Sequence, residues 1–321
     1  MEGGNIMKEK LNTLYNEERK IRFIKEIEKN LTTSSSYLRT HFRNASSTEI
    51  TLEKDLCDWS AYEIIEYYKL LTLTSFDSLS HINSVFTRYA EFCLKNGLVK
   101  DNQNHYEEIT VDILMGCLNK AALDNKIIDR TTILKWIEHL PNPKDQFILL
   151  SLFEFGKSKD FQDITYAKAN NVTGNKLRLL NRTVNISSKM LDIINDCENE
   201  TMYYGISGSA KRKFPLIDNG YIVKSFPNHK EEPSDYQKGR NVYISCQRMF
   251  KYLGVSENMN PNAIVESGKI HMIKEMSKKL NITPEEFIYS KDIKEVEEQF
   301  DCIIKPSVFY KKYKDYIDCL V

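Results

Sequence analysis

The apolar positions near the N terminus repeat with the period of a helix. In the segment YNEERKIRFIKEIEKNL, Ile21, Ile24 and Ile27 recur at helical spacing among Glu and Lys residues. The polar run TTSSS that follows is typical of a helix end. This pattern predicts a helical extension over residues 1–48.

A small helical domain is predicted over residues 49–100. In DLCDWSAYEIIEYYKLL the apolar residues repeat at helical intervals, and Ser60 followed three residues later by Glu63 has the pattern of a capping box. A second helix, SFDSLSHINSVFTRYAEFCLKNG, is expected to end at Gly97. Its apolar residues form one stripe, which consists of Leu79, Ile82, Val85, Phe86, Tyr89 and Phe92.

The rest of the chain is predicted to form a larger, mostly helical domain over residues 111–321, joined by an acidic, Asn-rich linker at 101–110. The helical rhythm breaks where LRLL and TVNIS are typical of two short strands joined through Asn181 and Arg182. The segments MYYGIS and KFPLI are expected to continue that sheet. The predicted fold class is therefore mainly α with a small antiparallel β-sheet.

Composition limits the classes of protein that this chain can belong to. A length of 321 residues with 41% hydrophobic residues is sufficient for two globular domains. No apolar run approaches the roughly 20 residues needed to cross a bilayer, so we expect a cytoplasmic protein without a membrane partner. The seven cysteines are scattered and never form a CxxC pair, which favours reduced thiols over disulfides or a zinc site. Neither a metal nor a cofactor is predicted.

Charge is informative only locally, because 45 basic and 45 acidic residues give a net charge of zero. Between Asp163 and Asp192 there are five basic residues and no acidic residue, and between Glu200 and Asp218 there are three basic residues and again no acidic residue. Such stretches can neutralise the phosphates of a nucleic acid. An ordinary solvated surface is the alternative interpretation.

Two parts of the chain resemble the two domains of tyrosine recombinases, the phage integrases. The helices of residues 49–100, with an aromatic-rich end and a closing Lys-Asn-Gly, resemble the SAM-like core-binding domain. The stretch IIDRTTILKWIEHLPNPKDQFILLSLFEFG resembles the opening of the catalytic domain. The resemblance covers residues 50–317 and implies the two-domain integrase architecture.

The resemblance also indicates where the catalytic groups of the family should stand. In the family an apolar helix and a glycine precede an arginine that holds the scissile phosphate, and Lys157 occupies that position here. An ammonium on a flexible stem does not reproduce the bidentate fork of a guanidinium. The hairpin lysine of the family has no clear equivalent, and Arg182 is the nearest basic residue.

The next catalytic motif of the family also lacks its phosphate-holding residues here. At the HxxR motif, Asn262 stands in place of the histidine and Val265 in place of the arginine, and the adjacent Glu266 would repel a phosphate. Tyrosines near the C terminus offer a nucleophile, but a tyrosine needs a phosphate already held by cationic groups. These tyrosines are Tyr310, Tyr313 and Tyr316, with Tyr313 as the candidate position. The sequence therefore predicts that no strand cleavage occurs.

A retained scaffold with lost catalytic groups predicts a protein that binds DNA without cutting it. Within the family, the chain resembles the integrase-fold master repressors of SPbeta-like temperate phages, which implies sequence-specific operator binding that maintains lysogeny. The implied partner is double-stranded DNA, with a second copy of the chain or a regulatory protein as further partners. The candidate DNA-contacting residues are Ser78, His81, Asn83, Arg88, Lys157, Lys159, Arg178, Arg182, Lys211, Arg212 and Arg240.

Two other classes of function remain open from the sequence. An active recombinase would require basic or imidazole groups to converge on one C-terminal tyrosine. A protein-interaction module would keep the fold but bind no DNA, which the zero net charge favours and the basic stretches without acidic residues oppose.

Overall fold

The structure is a computed structural model in which the chain divides by its internal contacts into two units, Met1–Lys120 and Ala121–Val321. It describes residues 14–28, 35–119, 126–206, 212–227, 233–255 and 259–318. The predicted fold class, mainly α with small antiparallel sheets, is confirmed.

The first unit is helical throughout its described part. Its helices are α1 (Glu17–Glu28), α2 (Ser35–Leu52), α3 (Ala61–Leu70), α4 (Phe76–Lys95) and α5 (Val111–Gly116), with single 3-10 turns at Leu56–Asp58 and His105–Glu108.

The predicted helix signals in this unit are confirmed. Ser60 caps α3 and exchanges hydrogen bonds with Glu63 in a capping box. Gly97 follows the end of α4 with a φ of 65°, a left-handed conformation that glycine adopts without strain. The apolar stripe of α4 lies entirely in the core, because all six of its predicted members are buried.

Helices α1 and α2 pack into the same core as α4. The ring of Phe23 on α1 meets the rings of Phe42 on α2 and Tyr89 on α4 edge-on, at centroid distances of 5.8 and 5.2 Å. The predicted boundary at residue 48 therefore does not separate two packing units.

The segment 101–110, predicted as a linker, also belongs to this core. Tyr106 is buried, and its hydroxyl donates a hydrogen bond of 2.9 Å to the carbonyl oxygen of Leu56. The side chain of Asn104 accepts from the backbone N–H of Tyr106 and begins the short turn. The chain leaves the first unit only after this segment.

The second unit contains the remaining helices and all of the described strands. Its helices are α6 (Arg130–His139), α7 (Pro143–Glu154), α8 (Gln162–Thr165), α9 (Ser188–Asn199), α10 (Asp235–Tyr252), α11 (Pro261–Leu280), α12 (Pro284–Tyr289), α13 (Ile293–Phe300) and α14 (Pro306–Ile317). Its strands are β1 (Val172–Thr173), β2 (Lys176–Arg178), β3 (Thr183–Asn185), β4 (Met202–Tyr204) and β5 (Lys213–Pro215).

Helix α7 is the central element of the second unit. It is buried on all sides from Phe147 to Phe153 and packs against α6, α9, α10 and α11. At the crossing with α11, a Cβ atom at Gly268 would lie 1.9 Å from the carbonyl oxygen of Phe153. The two helix backbones can approach this closely only because residue 268 has no side chain.

The strands form two separate sheets. Strands β1, β2 and β3 pair in that order, with Leu177 opposite Val184, so the predicted hairpin through Asn181 and Arg182 is confirmed. Within the part of the chain that the structure describes, strands β4 and β5 pair with each other and with no other strand. The expectation that they continue the first sheet is therefore wrong.

A second apolar cluster joins the last four helices. It includes Ile273 of α11, Phe287 of α12, Val296 of α13 and Tyr313 of α14. Helix α14 therefore packs against its own chain along its buried face. Among the described residues, no helix combines the length and apolar character that a membrane crossing requires.

Candidate nucleic-acid interface

Two positions that the resemblance aligns with family arginines, Lys157 and Val265, lie beside Gly156. This residue follows α7 with a φ of 76°, and a Cβ atom there would lie 3.0 Å from a ring carbon of Phe300 and 3.4 Å from Cγ1 of Val265. The sequence positions that the resemblance aligned with two phosphate-holding arginines are thus neighbours in space. The group that Val265 contributes there is one methyl of its isopropyl side chain.

Lys157 lies next to Gly156 and is half-buried. Its ammonium stands 5.1 Å from the centroid of the Phe161 ring, a cation–π arrangement. Asp160 and Phe161 both have left-handed backbones, with φ of 52° and 58°. This conformation is costly for residues other than glycine and is held by close packing, because a Cβ at Gly239 of α10 would lie 2.2 Å from the carbonyl oxygen of Asp160.

Arg182 is engaged by the protein itself. Its Nε and Nη2 donate to one carboxylate oxygen of the buried Asp163 at 3.0 and 2.8 Å. Nη2 also donates to the carbonyl oxygen of Phe155 at 2.9 Å. Nη1 donates to the carbonyl oxygens of Glu298, at 3.1 Å, and Gln299.

A guanidinium has five N–H groups, and these contacts use all of them. In this structure no N–H group of Arg182 is left for the phosphate contact that the sequence predicts. In this structure Arg182 ties the β2–β3 hairpin to the ends of α7 and α13.

The remaining motif positions lie on α11 and α14, where Val265 packs against the apolar cluster that contains Tyr313. Asn262 is exposed on the first turn of α11, and Glu266 pairs with Lys269 at 2.5 Å. Tyr313 is only 1% exposed and packs on Phe309 with ring centroids 4.9 Å apart.

Of the other two candidate tyrosines, one is buried and one is half-buried. The Tyr310 hydroxyl donates to Asp318 at 3.0 Å, and Tyr316 is half-buried.

An open groove of about 670 Å³ runs along the β2–β3 hairpin, and we call it the hairpin groove. Arg178 is exposed on one side of it, within 3.5 Å of the side-chain oxygen of Asn171. Lys168 lies on the other side, with its ammonium 5.2 Å from the ring centroid of Tyr221. Cationic, amide and aromatic groups in one open groove are the chemistry that contacts phosphates and sugars.

Helix α10 begins beside this groove. The hydroxyl of Tyr166, which lines the groove, donates to Asp235 and accepts from Lys238 at 3.0 Å. The hydrogen bond to Asp235 raises the pKa of Tyr166, so its hydroxyl stays protonated. These contacts fix the first turn of α10 relative to the groove.

The outer face of α10 carries alternating aromatic and basic side chains. Tyr236, Arg240 and Tyr243 follow one another at helical spacing, and all three are exposed, the two tyrosines by 66% and 46%. Arg240 was predicted from the sequence, but the two tyrosines were missed. Their i, i+4, i+7 spacing on a single helix was the available signal.

The candidate residues of the first unit separate into two groups. Ser78, His81 and Arg88 are exposed on one face of α4. Asn83 is half-buried, and its side-chain oxygen accepts a hydrogen bond of 2.8 Å from Tyr68. The side-chain oxygen of Asn83 is thus used in the packing of α3 on α4, and its contact with DNA stays a prediction.

Helix α2 contributes aromatic groups to the α4 face that the sequence did not indicate. The ring of Tyr37 lies 5.1 Å from that of His81 and 4.3 Å from that of His41. Burial lowers the pKa of His41, and the nearby His81 lowers it further. His41 is therefore neutral near pH 7 and adds no fixed charge to this face.

The other predicted contact residues of the second unit are Lys159, Lys211 and Arg212. Lys159 and Arg212 are exposed. Lys211 lies outside the described residues. Within the described ranges, no group of three or more His, Cys, Asp or Glu residues is arranged to hold a metal ion.

Comparison with known proteins identifies both units. Residues 14–95 match the family described as "MrpR, N-terminal core-binding domain", and residues 127–319 match "MrpR, C-terminal catalytic domain". A similar protein is the "SPbeta prophage-derived uncharacterized protein YopR" of Bacillus subtilis (strain 168). It is 24% identical over 263 residues, which span 76% of this chain and 78% of that protein.

A solved structure, "Crystal structure of XerA recombinase", aligns with a TM-score of 0.36 at 11% identity over 93% of this chain and 98% of that one. The predicted relationship to tyrosine recombinases is confirmed by the family matches. Because the C-terminal match alone spans more than half of the chain, this protein belongs to the MrpR family of tyrosine-recombinase-like proteins.

Proposed function

We propose that this protein is a sequence-specific, non-catalytic DNA-binding repressor of a temperate phage that acts in the cytoplasm of the host bacterium. The observation that carries the proposal is the position of Val265 beside Gly156. Its Cγ1 would lie 3.4 Å from a Cβ atom added at Gly156. Tyrosyl transfer requires a phosphate held by preorganised cationic donors. A methyl group offers no donor.

The surroundings of the C-terminal tyrosines support the same proposal. Tyr313 is buried in the apolar cluster of the last four helices, so an attack on DNA would require α14 to leave its packing. Arg182, the nearest basic group on the hairpin, has committed its five N–H groups to the protein. Neither group is available to a bound phosphate in this arrangement.

Two exposed surfaces support DNA binding. In the second unit, the hairpin groove and the outer face of α10 place Lys168, Arg178 and Arg240 among aromatic rings and amides. In the first unit, the α4 face offers hydroxyl, imidazole and guanidinium groups. Such side chains contact phosphates and read base edges. The prophage origin of the relative from Bacillus subtilis supports a phage context.

The decisive experiment separates binding from cleavage. The purified protein is mixed with phage intergenic DNA, and affinity is measured by electrophoretic shift over a series of salt concentrations. We expect tight, salt-dependent binding to specific sites. On a suicide substrate with a nick beside the bound site, we expect no covalent protein–DNA species.

Tyr313→Phe serves as the matched variant in this experiment, and its DNA affinity should stay near that of the wild type. A covalent species that forms with the wild type and disappears in Tyr313→Phe would overturn the proposal and establish an active recombinase. Absence of DNA binding at low salt would instead favour a protein-interaction module.

The contribution of α4 is tested by amide hydrogen exchange. On addition of the bound DNA, the amides of α4 should become protected, and Arg88→Ala should weaken binding to all sequences and reduce its salt dependence. Unchanged exchange along α4 would exclude this helix from the interface.

A further inference from the structure

The β4–β5 ribbon has one partly buried face and one outer face. On the partly buried face Tyr203, which is 8% exposed, pairs with Phe214, which is 40% exposed, and both rings meet Phe226 at centroid distances of 5.4 and 6.1 Å. Tyr204 pairs with Lys213 on the other face. Tyr204 is 44% exposed, and the Lys213 ammonium lies 5.0 Å from the centroid of its ring.

The ribbon is anchored to the start of α7. The buried side chain of Asn142 donates to the carbonyl oxygen of Tyr204 at 2.9 Å and accepts from its N–H at 2.7 Å. Gly205 continues the pairing through a bond of 2.8 Å from its N–H to the carbonyl oxygen of Arg212. The outer face of the ribbon is thus held in a fixed position on the second unit.

This anchor lies far from the Gly156 site. Asn142 precedes α7 and Gly156 follows it, and a helix of 12 residues is about 18 Å long. Arg182 binds the carbonyl oxygen of Phe155 at the Gly156 end, which places the turn of the β2–β3 hairpin there as well. The ribbon is therefore a surface separate from the contacts at the hairpin turn.

The charge of the ribbon is entirely positive. Arg212 and Lys213 are exposed, and among the described residues neither forms an ion pair with a carboxylate. The sequence from residue 201 to 217 contains no acidic residue. A two-stranded β-ribbon has dimensions that fit the major groove of DNA.

We infer that the β4–β5 ribbon is a second DNA contact, in which Arg212 and Lys213 bind backbone phosphates and the Tyr204 ring packs against the sugars or base edges of the groove. This inference rests on the proposed DNA binding and names a further part of its interface. Because the ribbon lies apart from the Gly156 end of α7, it extends the protected site beyond the contacts at the hairpin groove.

The test compares Tyr204→Ala/Lys213→Ala and Arg212→Ala with the wild type, on the full chain. Each variant should weaken DNA binding several-fold, up to about tenfold for the double variant, and lower the salt slope by about one for the lost charge. Hydroxyl-radical footprinting should show lost protection at one end of the site only. Lys279→Ala is the matched control, because it removes one exposed charge at the end of α11. This lysine lies about 21 Å along the helix from Val265, which is beside the Gly156 site.

The outcomes separate this inference from the proposed function. If the wild type binds DNA and the ribbon variants keep its affinity, salt slope and footprint, the ribbon contact is overturned and the repressor proposal stands. A ribbon that instead captures an acidic protein would give that same unchanged DNA binding. Failure of the wild type to bind DNA would overturn both. If the double variant unfolds, Lys213→Gln carries the measurement, because it changes only an exposed side chain.

Discussion

Lys20 and Glu49 form an ion pair that has no solvent exposure on either side chain. The Lys20 ammonium lies 2.6 Å from both carboxylate oxygens and also donates to the carbonyl oxygen of Tyr15 at 2.6 Å. Glu49 additionally accepts from the backbone N–H of Leu56 at 2.8 Å. The pair thus joins α1, α2 and the first 3-10 turn inside the core of the first unit.

Removal of one partner should destabilise the first unit strongly. Burial raises the pKa of Glu49 to about 7, although Lys20 opposes this shift. Lys20→Met should therefore lower the free energy of unfolding by about 3–5 kcal/mol near pH 8, because it leaves a buried carboxylate without its cation. Urea denaturation followed by circular dichroism measures this change.

The double variant Lys20→Met/Glu49→Gln is the control for this interpretation. Glutamine keeps an acceptor for Leu56 but has no charge, so part of the lost stability should return. A double variant less stable than Lys20→Met would contradict the argument from the buried charge.

Two arginines of the same hairpin should behave oppositely. Arg182→Lys keeps the positive charge but cannot make five directed hydrogen bonds, so it should lower stability by about 2–3 kcal/mol. Arg178→Ala should leave stability nearly unchanged and weaken DNA binding, because Arg178 is exposed in the hairpin groove. Thermal unfolding and salt-dependent DNA titration distinguish the two. If both variants changed stability and DNA affinity equally, the structural role of Arg182 and the DNA-binding role of Arg178 would be refuted.

The crossing of α7 and α11 should not tolerate a side chain at residue 268. A Cβ in Gly268→Ala would meet the carbonyl oxygen of Phe153 at 1.9 Å, and a backbone atom cannot rotate away. We expect a loss of about 3 kcal/mol in the free energy of unfolding. Gly116→Ala is the control, because the added Cβ finds no atom within 4 Å and alanine favours helix, so its stability should change by less than about 1 kcal/mol.

Stability of the second unit should fall as the pH rises from 5 to 8. Burial raises the pKa of Glu200 to about 7, above its usual value of 4.5. The folded state therefore holds a proton that the unfolded chain releases, so the contribution of Glu200 to stability is complete below pH 4.5 and is lost as the pH rises through 7.

Glu200→Gln should remove part of this pH dependence, since it keeps an acceptor for the N–H of Lys144 without ionising. Denaturant midpoints at pH 5 and pH 8 measure the effect. The change is on the order of 2 kcal/mol in the wild type and smaller in the variant. Identical pH profiles for both proteins would rule out Glu200 as the source. Asp145, whose pKa burial raises to about 6, and Glu154, whose pKa burial also raises, contribute to the residual dependence.

The sequence by itself determined the elements whose signals are local. The capping box at Ser60, the buried stripe of α4 and the β2–β3 hairpin follow from residue spacing within a few positions of the chain, where backbone geometry decides which side chains share a face. It also carried the prediction that Lys157, Asn262 and Val265 stand where the resemblance places the family's phosphate-holding residues, because that prediction depends on residue identity and not on the fold.

Only the tertiary structure decided which of these groups are available. Arg182 is basic in the sequence, but its partners Glu298 and Gln299 lie 116 and 117 residues away, and no local pattern encodes their position. The same holds for Tyr313, which packs among residues from three other helices, and for Asn83, whose acceptor is taken by Tyr68. Long-range packing consumes hydrogen-bonding groups and surface that sequence spacing alone leaves unassigned, because a buried polar group must find its partner wherever the fold brings one.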